Sequence, residues 1–135
     1  MAFHGYQEVD HTADIALRVW GEDFQVLLRQ AAGGMYCLMG VEPVLGLSEE
    51  TSFTITQANC EILLVDFLSE LLYMAEEANL VLDDFVFEEG QHQVRIRSTG
   101  RKIQFQERAI KAVTFHDLTV KETSKGLIAT ITFDV

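Results

Sequence analysis

The sequence predicts an α+β fold in which two helices pack on antiparallel or mixed β-sheet. Two segments repeat apolar residues at helical spacing, and most other segments alternate apolar and polar residues as strands do. Hydrophobic residues make up 48% of the 135 positions, which is enough apolar area for the chain to fold without a partner. We therefore predict a single domain over residues 1–135, because a chain of this length commonly forms one core.

The first half of the chain is predicted as strand, helix, strand and helix. Residues 14–20 alternate in the manner of a strand. Helical spacing begins after Asp23, which is a suitable N-cap. After a second alternating segment at 51–56, Asn59 is the predicted N-cap of a helix that is apolar on most of its surface. This second helix is expected to form the centre of the core.

The second half of the chain is predicted to consist of strands joined by short turns. The predicted strands cover residues 80–88, 93–98, 103–106, 109–121 and 127–134. Glycines mark three of the breaks, near Gly90, Gly100 and Gly126. Short connections containing glycine favour antiparallel hairpins, so we expect the two helices to cover an antiparallel sheet.

The charge balance restricts the partners that the chain can bind. Ten Lys and Arg residues against 21 Asp and Glu residues give a net charge of -11. Such a field repels nucleic-acid phosphates and anionic membranes, and it attracts cations and basic protein surfaces. We therefore expect no direct binding of nucleic acid. The longest apolar run, residues 62–75, is too short to cross a bilayer, so no membrane role is expected either.

The motif content argues against an enzyme and for a cytoplasmic protein. The sequence contains no P-loop and none of the GxGxxG, GxSxG or HExxH motifs. Cys37 and Cys60 form no metal-binding pattern and are predicted to be buried free thiols, which suits a reducing compartment. The N-terminus lacks the basic start and apolar stretch of a secretory signal. An assisting factor for another enzyme is therefore the favoured class.

Carboxylates near the two ends of the chain form a candidate cation site. If Val135 is the natural terminus, its α-carboxylate lies beside the side chain of Asp134 on a strand end. Asp14 is a candidate third ligand if the first and last predicted strands are neighbours. Oxygen ligands of this kind suit Ca²⁺, Mg²⁺ or Mn²⁺. The alternative is that Asp14 caps a turn and Asp134 is solvated.

Three further residues are candidates for function. His11 lies three positions before Asp14, either as half of a metal-binding or acid/base pair or as part of a turn. Lys111 lies between two apolar residues, so it either faces solvent or binds an acidic group of a partner. His116 lies at a predicted strand end, where an exposed histidine without a function is common.

Several blocks of the chain, in their order, resemble the archease family. The blocks are HTADI at 11–15, AAGGMYCLM at 31–39, LLVDFLSELLY at 63–73, IKAVTFHDL at 110–118 and FDV at 133–135. Together they span nearly the whole chain, and the ordered set is far more specific than any one block.

The resemblance implies an archease-type α+β fold and a role as activator of the RtcB-type RNA ligase that seals tRNA exon halves and other broken RNA ends. Members of the family assist guanylylation of the ligase and its repeated turnover, and they do not join RNA themselves. The resemblance also implies a divalent-cation site at Asp14, Asp134 and Val135, and a functional role for Lys111.

Two other functions remain open. A small metal-dependent hydrolase would use Asp14 and Asp134 as ligands and His11 as general base. A metal-stabilised interaction module with an unknown partner is the second alternative.

Overall fold

A computed structural model describes residues 2–9 and 14–135, and these residues form two helices and nine strands. The helices are α1 (Phe24–Met39) and α2 (Cys60–Ala78). The strands are β1 (His4–Val9), β2 (Ile15–Gly21), β3 (Glu42–Pro43), β4 (Glu49–Thr56), β5 (Leu80–Glu89), β6 (Gln93–Phe105), β7 (Ala112–Thr114), β8 (Lys121–Glu122) and β9 (Leu127–Asp134). Helices packed with antiparallel sheets confirm the predicted α+β class.

The first sheet is built around β2 and β9, which pair in antiparallel register along the whole of β2. β1 pairs with β2, and β7 and β8 both pair with β9, so the described residues form a five-stranded antiparallel sheet. Leu17 of β2 is paired with Ile131 of β9, and both side chains are buried. β9 therefore lies inside the sheet, between β2 and β7.

The second sheet has β6 at its centre. β4 and β5 pair antiparallel with the same stretch of β6 and so lie on its two sides, while β3 pairs with its last residues. Val94 and Ile96 are buried, whereas the intervening Arg95 and the following Arg97 are exposed. This alternation is expected of a sheet that is covered on one face only.

The helices connect the two sheets through a shared core. α1 packs mainly on β1 and β2, and α2 contacts β4 and β5 of the second sheet and β7 of the first. Phe67 of α2 is fully buried, and its ring centroid lies 5.1 Å from that of Phe85 in an edge-on arrangement. One buried apolar cluster includes residues of both helices and both sheets. In the part of the chain that the structure describes, no helix is long and apolar enough to cross a membrane.

Side-chain caps begin both helices at the predicted residues. Asp23 and Asn59 each accept a hydrogen bond from the backbone N–H three residues later, at 2.9 and 3.0 Å. Each bond satisfies one of the N–H groups that a helix N-terminus leaves without a partner. Gly40 is the C-cap of α1 and Asn79 that of α2, and both have the left-handed backbone that glycine and asparagine adopt more readily than other residues.

The predicted break at Gly100 is wrong, because β6 runs through this residue without interruption. Gly100 is paired with Glu49 on one side and with Leu82 on the other. A Cβ at position 100 would lie 3.1 Å from the hydroxyl oxygen of Thr51 and 3.2 Å from a methyl carbon of Leu82. Because Gly100 has no side chain, the neighbouring strands can pack closely against β6. Glycine is also common in turns, so the sequence pattern at this position resembled a turn.

The prediction of one strand over residues 109–121 is also wrong. Pairing with β9 is limited to the short strands β7 and β8, and a turn separates them. In that turn the N–H of Leu118 donates to the carbonyl of Phe115 at 3.1 Å, and Asp117 has a φ of 52°. Aspartate tolerates the left-handed region better than most residues, so this local turn overrides the strand-like composition around it.

Both cysteines are free thiols, as predicted, but the prediction that they are buried is wrong. Cys37 is exposed on α1, and Cys60 is partly exposed at the first turn of α2. Partial burial, together with the nearby Glu61 carboxylate, raises the pKa of Cys60. Leu38, which follows Cys37, is buried, whereas Cys60 lies between Asn59 and Glu61 at the start of α2, so nearby apolar residues did not indicate burial of either cysteine.

Two adjacent glycines of α1 differ in how closely they approach the first sheet. A Cβ on Gly34 would lie 2.6 Å from a methyl carbon of Leu17 and 2.9 Å from Cγ of Tyr6. A Cβ on Gly33 would lie 3.7 Å from the Tyr6 ring, which is an ordinary van der Waals distance. Gly34 is therefore required for the packing of α1 on β1 and β2, and Gly33 is not.

We predict that the same substitution has opposite effects at these two positions. Gly34→Ala is expected to lower the free energy of unfolding by about 1–3 kcal/mol, because Tyr6 and Leu17 must move from their packed positions. Gly33→Ala is expected to raise it by up to about 1 kcal/mol, because alanine favours a helix and finds space here. Urea denaturation of the wild type and both variants measures the difference. Equal effects of the two substitutions would contradict this account of the packing.

Candidate metal centre

Pairing of β2 with β9 brings Asp14 and Asp134 to the same end of the first sheet. Ile15 begins β2 and is paired with Phe133 of β9. Asp14 precedes Ile15 and Asp134 follows Phe133, so continuing the antiparallel register by one residue sets the two aspartates opposite each other. Opposite residues in such a pair have Cβ atoms roughly 4.5–5.5 Å apart, which is close enough for two carboxylates to share one ion.

The two aspartates lie at the edge of the buried core. Phe133 is fully buried, Asp14 is half-buried, and Asp134 and Val135 are exposed. β9 is paired with β2 on one side as far as Phe133 and with β7 on the other as far as Asp134. The backbone of Asp134 is therefore held by β7 and directly follows a residue that is held on both sides, while its carboxylate remains accessible to an ion or a partner.

Lys111 lies at the same end of the sheet. Its backbone N–H donates to the carbonyl of Asp134 at 2.8 Å, next to the pairing of Ala112 with Asp134. The side chain of Lys111 is exposed. Of the residues singled out from the sequence, the structure therefore groups Lys111 with Asp14, Asp134 and Val135.

The donors at this end of the sheet fit a hard divalent cation. The donors are two aspartate carboxylates, joined by the α-carboxylate of Val135 if Val135 is the natural terminus. Oxygen ligands of this kind bind Ca²⁺, Mg²⁺ and Mn²⁺. Facing carboxylates also repel each other, and a bound cation offsets that repulsion. Within residues 2–9 and 14–135, no three His, Cys, Asp or Glu side chains form a metal-binding group. Main-chain or water oxygens are further donors that could complete the coordination of a cation here.

Of the two candidate histidines, only His116 belongs to the described residues, and it does not lie beside the two aspartates. His11 lies outside the described residues. His116 lies in the turn after β7, beyond the end of that strand that is farther from Asp134. Its Nε2 is 3.2 Å from a carboxylate oxygen of Asp117, and both side chains are largely exposed, so solvent weakens this contact.

A second pair of adjacent carboxylates escaped the sequence analysis. The pairing of β5 with β6 shifts between Asp83 and Val86, and Asp84 in this bulge has a φ of 53°. Partial burial and the neighbouring Asp84 raise the pKa of Asp83, while Arg101 acts in the opposite direction. The sequence signal was present, since two aspartates interrupt an apolar strand pattern, and such an interruption is typical of a bulge.

The bulge is tied to α1 by two polar side chains. The hydroxyl of Tyr36 accepts a hydrogen bond from the N–H of Leu82 at 3.1 Å, and burial raises the pKa of Tyr36. Arg29 donates to the carbonyl of Phe85 at 2.9 Å, and its guanidinium carbon lies 5.1 Å from the centroid of the Phe87 ring. These contacts hold α1 against the second sheet, so the bulge has a structural role.

Comparison with known proteins finds close relatives along nearly the whole chain. Residues 6–135 match the Archease protein family (MTH1598/TM1083). The archease of Methanosarcina mazei is 32% identical, over 96% of this chain and 95% of its own length. The archease of Archaeoglobus fulgidus is 30% identical, over 96% of this chain and 98% of its own length.

Two solved structures share the fold. The crystal structure of an archease from Thermotoga maritima, described as a possible chaperone, matches with a TM-score of 0.73 at 22% identity and covers 96% of each chain. The solution structure of protein 1598 from Methanobacterium thermoautotrophicum matches with a TM-score of 0.72 at 25% identity, over 97% of this chain and 99% of its own. The predicted archease-type fold is thus confirmed, and the match over residues 6–135 shows that this chain belongs to the archease family.

Proposed function

We propose that this chain is a non-enzymatic activator of an RtcB-type RNA ligase, which it assists in guanylylation and repeated turnover during tRNA splicing and RNA repair in the cytoplasm. The observation that carries the proposal is the pair of aspartates, Asp14 and Asp134, that the archease fold brings to one accessible end of a sheet. These residues stand at the positions that the family resemblance assigns to a cation site.

Strand pairing prepares the site before any partner arrives. Asp14 and Asp134 would hold the divalent cation, and Val135 would contribute its α-carboxylate if it is the natural terminus. Held by these residues, a divalent cation would supply a Lewis-acidic centre at the surface that meets the partner. Because β9 is paired on both sides, little conformational freedom is lost when the partner docks. Lys111, joined to Asp134 through its N–H, adds a second positive group for an acidic contact.

The charge of the chain supports a basic protein partner and not RNA as the direct ligand. A net charge of -11 repels phosphates, and it accelerates encounter with a positive surface in a salt-dependent way. Activation then follows if the chain binds the competent conformation of the ligase more tightly than its other conformations. The description of the Thermotoga maritima relative as a possible chaperone also supports a role in assisting another protein.

A ligation assay under multiple turnover tests the proposal. The wild-type chain is expected to increase the number of ligations per ligase, and Asp14→Asn or Asp134→Asn to reduce this stimulation by about 10-fold or more, because each removes a charged ligand. Asp117→Asn makes the same charge change in an exposed turn away from the site and is expected to keep full stimulation. Circular dichroism checks that each variant is folded.

Three outcomes of this assay would contradict the proposal. The first is a wild-type chain that leaves the turnover of its cognate ligase unchanged. The second is full stimulation by a folded Asp134→Asn variant. The third is hydrolysis of phosphoesters by the chain without any ligase, since that result would favour the metal-dependent hydrolase.

Cation binding itself can be measured without the ligase. Ca²⁺, Mg²⁺ or Mn²⁺ is expected to raise the Tm of the wild-type chain, because an ion that binds only the folded state adds about 2.7 kcal/mol at 100 times its Kd. An Asp14→Asn/Asp134→Asn double variant is expected to lose this shift, and Asp117→Asn to retain it. The same rise in all three proteins would mean that the ions act on the acidic surface in general.

A further inference from the structure

The turn between β3 and β4 exposes two leucines at its tip. Leu45 is 85% exposed and Leu47 is 80% exposed, the highest values for large hydrophobic side chains among the described residues. Gly46 between them has a φ of 97°, and a Cβ added there would meet no atom within 4 Å. The segment of residues 44–48, here called the leucine turn, therefore projects away from the rest of the described chain.

The base of the leucine turn is anchored to the second sheet. The N–H of Val44 donates to the carbonyl of Lys102 at 2.8 Å, directly after β3 has paired with the end of β6. On the other side, β4 pairs with β6 from Glu49 onward. The two leucines thus lie on a short connection that is fixed at both ends. Binding of a partner would therefore cost little conformational entropy in this segment.

Acidic side chains flank the leucine turn. Glu42 precedes it, Glu49 and Glu50 follow it, and all three are exposed. The ammonium of Lys102, the residue whose carbonyl accepts from Val44, is hydrogen-bonded to the carbonyl of Ala78 at 3.0 Å. A second copy of the chain would bring like charges together at this place, and anionic lipid would be repelled as well. The surroundings fit a protein surface with an apolar pocket and a rim of Lys or Arg.

We propose that the leucine turn is a docking point at which Leu45 and Leu47 enter an apolar pocket with a basic rim on the protein partner. This contact is separate from the end of the first sheet that carries Asp14 and Asp134. The leucine turn supplies binding affinity, whereas the aspartate end stimulates the partner's reaction. The identity of the partner as the ligase rests on the proposed function.

A Leu45→Ser/Leu47→Ser variant of the full chain separates the two contacts. The concentration that gives half-maximal stimulation of the ligase is expected to rise roughly 100-fold, since each buried leucine contributes at least about 10-fold in affinity. Stimulation at saturation is expected to stay at the wild-type level. The Tm is expected to be unchanged, because neither side chain packs against the core. Val86→Ser, which changes an exposed apolar residue on the second sheet, is the matched control and leaves the half-maximal concentration unchanged.

Direct binding to the immobilised ligase keeps this inference distinct from the proposed function. If the wild type binds the ligase but does not stimulate it, the proposed function fails. The docking point is still tested in that case, by comparing the Kd of the double variant for the ligase with that of the wild type. If the double variant binds and stimulates at wild-type concentrations, the docking point is wrong. It is also wrong if the wild type fails to bind the ligase, or if the leucines are instead required for self-association in sedimentation or for flotation with phosphatidylcholine vesicles.

Discussion

The pairing of β2 with β9 is the interaction on which the candidate site depends. Its register is set by the core, because Leu17 and Ile131 must face the buried side together. A slip of one residue would turn these side chains toward solvent and would also move Asp134 out of line with Asp14. The same hydrophobic constraint that holds the sheet together therefore aligns the backbone positions of two aspartates from opposite ends of the sequence. The two aspartates are therefore brought together only when the two strands are fully paired.

Local sequence patterns predict most helices and strands of the fold correctly. The caps at Asp23 and Asn59 and the limits of β9 follow from side-chain chemistry and alternation within short windows. β1 was not predicted, because its residues are mostly polar or exposed and it becomes a strand only by pairing with β2. At Gly100 the sequence predicted a break where the strand continues. The glycine is required by close packing with two neighbouring strands, and this requirement cannot be distinguished from a turn in the sequence alone.

The candidate site could be predicted only conditionally. Asp14 and Asp134 are unremarkable as single residues, and their proximity follows from which strands are neighbours, a non-local property that alternation does not encode. The link between Lys111 and Asp134 is a backbone hydrogen bond, which no side-chain pattern reveals. The Asp83 and Asp84 bulge shows that adjacent carboxylates alone do not define a site, since its contacts to α1 account for it structurally.

Paramagnetic broadening by Mn²⁺ in an NMR spectrum of the labelled chain tests the central claim most directly. Substoichiometric Mn²⁺ binds wherever carboxylate oxygens converge and broadens nearby amide signals. The account predicts that the signals of Asp14, Ile15, Asp134 and Val135 broaden first, together with that of Lys111. Broadening that begins at Asp83 and Asp84, or that spreads evenly over the acidic surface, would contradict a shared cation site at the end of the β2 and β9 pair.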